Sequence, residues 1–160
     1  MRIDWSDPSC PISSYFTVNE ALWLPRWGRL AAVGDGLGPD SYSALLLLFQ
    51  KMDVVRELLD RPIHVHCAYR PKPYNLEVDG APESCHMARR ENGALLAAVD
   101  WDAKTPEEEF MGPSCDEVRS LILPKLDEWN LRLEDRGPGS PWLHLDTRIP
   151  LPGHSRFFKP

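Results

Sequence analysis

Apolar residues recur at three- and four-residue steps through the second quarter of the chain. Leu45, Leu48, Met52, Val55, Leu58 and Leu59 fall on one stripe of a helix predicted over 42–60, with Asp40 or Ser41 suited to cap it. This is the longest predicted helix and the expected main packing element. A second helical pattern starts at Cys115 or Asp116 and runs to Leu131 through Val118, Leu121, Ile122, Leu126 and Trp129. Pro124 lies inside it and is expected to kink or split it, because a mid-helix proline deletes one hydrogen bond and clashes with the preceding turn. Thr17-Val18-Asn19-Glu20 has the spacing of a capping box, so a short helix is predicted to about Leu24, stopping before Pro25. The period changes to two over 62–69 and 142–147, which reads as strand. In the first of these His64 and His66 point the same way. In the second Trp142, His144 and Asp146 share one face, and Leu143 and Leu145 the other.

Punctuation between these elements is strong. Residues 1–14, rich in Ser, Pro and Asp, predict an extended arm. Pro71 and Pro73 are expected to end the first strand in a turn, and 105–109 resembles an acidic first helical turn. Gly34 to Pro39 has no Gly-Lys-Ser/Thr after it, so it reads as a turn rather than a phosphate loop. The tail over 149–160 reads as a non-helical strap. No internal repeat or linker divides the chain, which predicts one α+β domain over 1–160.

Composition narrows the partners. A chain of 160 residues that is 42% hydrophobic has material for one ordinary core. A net charge of -6 and a pI near 5.3, without a Lys/Arg stripe, argue against nucleic acid as a partner. No apolar run approaches a membrane span and the start lacks the plan of a secretory signal. The expectation is a soluble protein made in the cytoplasm, with no membrane partner, that would be exported only by another route. Cys10, Cys67, Cys85 and Cys115 form no Cys-x-x-Cys and are expected to be buried free thiols.

Three groups of polar residues carry candidate chemistry. Tyr69-Arg70-Pro71 is followed by Asn75; Ser84-x-His86 is followed by an apolar run ending in Asp100; Trp142-x-His144-x-Asp146 closes the order. Two neutral imidazoles and one carboxylate would give a zinc ion three protein ligands and leave a fourth position for water, as in catalytic sites. A rival site is the strand pair His64 and His66 with Cys67. Arg70, at a strand end, is placed to hold a carboxylate through its planar fork, or to form an ordinary surface salt bridge.

Taken together, the three groups resemble the zinc D-alanyl-D-alanine carboxypeptidases and peptidoglycan-cleaving endopeptidases, most closely their small, phage-like branch. The resemblance implies a small antiparallel sheet with helices packed on one side. It implies His86, Asp100 and His144 as zinc ligands, Arg70 as the residue that meets substrate or oxyanion, and Ser84 and Trp142 beside the substrate. The implied reaction is hydrolysis of a peptide bond next to a D-amino acid in peptidoglycan, in the manner of a phage-type lysin. Two departures stand out. His86 and Asp100 are fourteen positions apart where the family has seven, which implies a seven-residue insertion within Met87 to Ala97, expected to form a polar flap with Arg89, Arg90 and Glu91; Asp102 and Glu91 are rival ligands. The family's general-base position, three before the last His, holds Pro141. Asp146 or Glu83 is then the replacement base, unless Asp146 instead orients His144. The alternative to an enzyme is a metal-holding structural or wall-binding module of the same fold.

Overall fold

The computed structural model describes residues 3–104, 108 and 112–159. The acidic stretch 105–109, apart from Glu108, and the last residue of the strap lie outside the described residues. In chain order the elements are α1 (Val18–Leu22), the short pair β1 (Trp23–Leu24) and β2 (Arg29–Leu30), α2 (Pro39–Leu59), β3 (His64–Cys67), α3 (Lys72–Glu77), β4 (Arg89–Glu91), β5 (Ala94–Leu96), β6 (Ala98–Asp102), α4 (Cys115–Ile122), α5 (Leu126–Trp129), β7 (Arg132–Glu134), β8 (Leu143–Asp146) and β9 (Phe157–Phe158). Five strands form one sheet in the order β3-β6-β8-β7-β9. The fold is α+β.

The pleat sorts this sheet into two chemically different faces. Val99, Trp101, Leu133, Leu143 and Leu145 turn to one side, where they share a single core with Leu45, Leu48, Phe49 and Met52 of α2. The register Asp100↔His144, Ala98↔Asp146 and Arg132↔Asp146 puts the titratable residues together on the other side. All pairs are antiparallel except β7 with β9, where Leu133 lies opposite Phe157 in parallel. The expected strap therefore supplies an edge strand, because the chain between β7 and β9 is long enough for the crossover that a parallel pair needs.

Local chemistry explains the remaining departures. Pro71 caps α3 and Pro73 sits in its first turn, where a missing N–H costs nothing, so the two prolines start a helix instead of breaking structure. The first residues turn rather than extend, with Asp4 and Asp7 accepting from the backbone N–H of Ser6 and Ser9. Helix α2 begins at Pro39 behind Gly38, earlier than Asp40 or Ser41 would place it. Leu58 lies off its buried stripe and is exposed. Pro124 does split the second helix, as a 3-10 turn over Leu123–Lys125 between α4 and α5. Thr17 and Glu20 make the capping box, Thr17 N–H donating to the Glu20 carboxylate at 2.8 Å.

The segment read as an insertion forms a hairpin, β4 with β5, turning through Asn92 and Gly93 with φ of 49° and 82°. Two successive positive φ values fit the tight turn that the strand twist favours. The hairpin leans on α2, with Arg90 Nε donating to Asp40 at 3.0 Å, rather than hanging free as a flap.

Asn75, 1% exposed, fastens the loop that leads to His86. Its Nδ2 donates to the Ala81 carbonyl at 2.9 Å, and Gly80 N–H donates to the Asn75 carbonyl at 2.8 Å. A Cβ on Gly80 would stand 2.1 Å from Asn75 Oδ1. Gly80→Ala should therefore push the amide off Ala81 and destabilise the protein by about 1–3 kcal/mol, the usual cost of overpacking. Urea denaturation measures this, and an unchanged midpoint would mean that Asn75 is not locked.

Candidate metal centre

Asp100 stands on β6 between two imidazoles. Its Oδ1 is 2.8 Å from His144 Nδ1 and 3.3 Å from His86 Nε2, and the two ring nitrogens are 3.3 Å apart. Ligands about 2.0–2.1 Å from a tetrahedral zinc lie about 3.3–3.4 Å from each other, so these three donor atoms fit such an ion with little movement. The rival carboxylates are elsewhere. Glu91 pairs with Arg89 on the hairpin, and Asp102 pairs with His66.

Each donor is oriented by a different device. His86 sits in a 3-10 turn over Cys85–Met87, whose first amide groups are capped by Ser84, with His86 N–H donating to Ser84 Oγ at 3.2 Å. Its Nδ1–H donates to the Ala68 carbonyl at 2.6 Å, and since a carbonyl only accepts, Nε2 is left with its lone pair toward Asp100. His144 is fixed by its place in the ladder opposite Asp100. Asp100 itself is held from behind, because Arg70 Nη2 donates to its Oδ2.

That contact assigns Arg70 a different part from the one its position at a strand end suggests. Its Nη2 is committed to Asp100 and its Nε to Cys67 Sγ at 3.4 Å; among the described residues Nη1 makes no hydrogen bond. Cys67 therefore belongs with Arg70, and the grouping of His64 and His66 with Cys67 does not form. All four cysteines are free and buried.

The three expected substrate neighbours and Asp146 line one cleft of about 900 Å³ with the donors. Ser84 is spent partly on capping the His86 turn. Trp142 is half-buried, with the Arg136 guanidinium 4.5 Å from its ring centre. Asp146 is 1% exposed; Arg132 clamps both its oxygens at 2.9 and 2.7 Å, and it lies 3.7 Å from His144 Nε2, the nitrogen that faces away from Asp100. A carboxylate in that place is positioned to steady the imidazole, the second of the two parts expected of Asp146, and lies away from the Nδ1 side. Glu83, with a side chain 77% exposed and paired with Arg89, is no better placed.

Sequence reading missed Glu134. The β7–β8 register, Arg132↔Asp146 and Leu133↔Leu145, brings the next residue of β7 level with His144 on the same face. Glu134 lines the cleft, with its side chain 12% exposed and Oε1 accepting from Arg136 Nη1 at 2.8 Å. The only signal in the sequence was the alternation Arg132-Leu133-Glu134, too short to define a strand.

Burial opposes charge on all three donors, and their neighbours decide the outcome. For Asp100 the two imidazoles outweigh burial and hold the carboxyl far below the usual carboxylate range. Burial would lower His144, yet Asp100 and Asp146 raise it to about 9. His86, enclosed and without a comparable excess of anions, is pushed down by burial.

A family model described as Peptidase M15 matches residues 27–112, just over half of the chain. No curated protein and no solved structure matches the chain significantly. The matched stretch contains Arg70, Ser84, His86 and Asp100, whereas His144 comes from outside it and is brought in by the sheet.

In the metal-free protein His144 carries a proton at neutral pH that a bound ion must displace. With a pKa of about 9 for His144, calorimetry at pH 7.5 in buffers of different ionisation enthalpy should count about one proton from His144 per zinc bound, besides any that the metal-bound water gives up. The count should fall by about one as the pH rises past that pKa. Proton release that stays constant across this range would contradict the assignment.

Proposed function

The chain belongs to the Peptidase M15 family of zinc-dependent peptidases, and from that membership we propose that it hydrolyses a peptide bond next to a D-amino acid in peptidoglycan stem peptides. His86, Asp100 and His144 are the proposed zinc ligands. The observation that carries this reading is the convergence of their three donor atoms, 2.8 to 3.3 Å apart, inside an open cleft. Zinc, when bound there, supplies Lewis-acid polarisation of the scissile carbonyl and makes water a nucleophile at neutral pH.

The chain's own groups would do the rest. Arg70 holds Asp100 so that one oxygen remains for the ion, and its Nη1 is the donor left for a substrate carboxylate or the developing oxyanion. Trp142 and Ser84 line the path of the peptide. Glu134 takes the proton of the attacking water and returns it to the leaving amine. It lies level with His144 on the neighbouring strand and lines the cleft, and Arg136 fixes one of its oxygens while leaving the other to accept.

Pro141 in the family's acid position favours a second reading, a zinc-holding module that binds cell wall without cleaving it. The two separate on one assay. Zinc-loaded protein incubated with purified peptidoglycan, or with a synthetic stem pentapeptide ending in D-Ala-D-Ala, should release new fragments detectable by mass spectrometry, and a chelator should abolish the release. Full zinc content with no cleavage of either substrate selects the module. For the enzyme, Glu134→Gln should lower kcat by roughly 10²- to 10⁴-fold, the usual worth of a general base, while zinc content stays unchanged. Unaltered kcat would remove Glu134 from the mechanism.

A further inference from the structure

We propose that His64, His66 and Asp102 form a second, outer site for a divalent transition-metal ion of the zinc class. The three residues lie on β3 and β6, on the margin of the sheet. A β-bulge separates them from the inner centre: His64 pairs with Asp102 and Val65 with Trp101, but Cys67, not His66, pairs with Asp100. The extra residue at the bulge is His66. In an unbroken ladder it would lie opposite Asp100, whereas here it turns to Asp102.

The donors already converge. His66 Nε2 is 2.8 Å and His64 Nδ1 is 3.8 Å from the same oxygen of Asp102, and the three ligand atoms all lie within 4.8 Å of one another. The two rings are tilted 56° to one another with centroids 4.6 Å apart. Asp102 is buried, and its other oxygen accepts from Lys104 N–H at 2.8 Å, so the carboxylate is fixed with one oxygen presented to both imidazoles. A surface ion pair needs one imidazole, and here two address one oxygen. Spacing of about 3.3–3.4 Å between donors, required around a tetrahedral zinc, is reached by small rotations of His64 and His66, whose side chains are 56% and 38% exposed. Two imidazoles and a carboxylate suit zinc, and equally cobalt or nickel, over calcium or magnesium. An ion there would tie the edge strand β3 to β6, two residues from Asp100, and would act as a clamp on the margin of the sheet.

Equilibrium dialysis against zinc in excess, followed by metal analysis, tests this. Wild-type protein should hold two ions per chain. The double variant His64→Ala/His66→Ala should hold one, His144→Ala should hold one, and the triple variant none. His154→Ala, an exposed histidine outside both groups, should keep two. Zinc should also raise the melting temperature of His144→Ala but not of the triple variant, a readout independent of catalysis. A zinc content that the double variant does not lower by one ion relative to the wild type would overturn the proposal. Loss of the inner ion alone would leave it standing while removing the reading of the catalytic centre.

Discussion

A carboxylate taken from water into a protein interior costs several kcal/mol unless cations and donors meet it. Asp100 is such a carboxylate, 9% exposed in the middle of a sheet. One of its oxygens faces two imidazoles and the other a guanidinium, and the structure around it is arranged to deliver those three groups. The backbone ties two of the deliverers directly, because Arg70 N–H donates to the His86 carbonyl at 2.8 Å. The strand end that carries Arg70 and the turn that carries His86 therefore move as one piece. Thr147, just past β8, adds a second tie, with Ala97 N–H donating to its hydroxyl at 2.9 Å and that hydroxyl donating to the Leu95 carbonyl at 2.8 Å. The cluster is thus balanced in charge, with Asp100 between His144 and Arg70.

Placing the chemistry on one face of the sheet frees the other for packing, and this division follows from the pleat alone. Ala98, Asp100 and Asp102 alternate along β6 with Val99 and Trp101, the latter two fully buried. Six-tenths of that strand thus serves the polar face, yet the two acids on it attend different histidines. The bulge in β3 makes the difference, since one extra residue moves Cys67 into line with Asp100 and hands His66 to Asp102. Without it both acids would compete for one row of imidazoles.

Much of this was legible in the chain. The stripe on α2 stands out because its period is sustained over many turns, and Pro124 splits a helix wherever it falls inside one. His86, Asp100 and His144 lie in an order that resembles a known family, and the sheet brings them together. What stayed hidden depends on tertiary context. Pro71 and Pro73 break a helix interior but are welcome in a first turn, and nothing local says which applies. The segment expected as a flap is a hairpin whose docking on α2 brings Arg90 to Asp40, fifty residues earlier, a partner that nothing local announces. Strands β7 and β9 are three and two residues long, too short for any period, and exist because β8 and each other are there to pair with.

The shortness of β7 is also why Glu134 escaped notice, and its position has a geometric logic. Side chains two apart on one strand are about 6.5–7 Å apart along it, whereas directly opposed side chains on adjacent strands have Cβ atoms about 4.5–5.5 Å apart. The residue level with His144 on β7 is therefore a cross-strand neighbour of the donor cluster. Pro141, before β8 begins, is exposed and offers no proton acceptor, and Asp146 is consumed by Arg132. The cross-strand site is the remaining place from which a carboxylate can address the cleft while rooted in the sheet. Arg136 holds Glu134 there and lies over Trp142 at the same time, so the acid, its counter-ion and the aromatic lining form one connected wall.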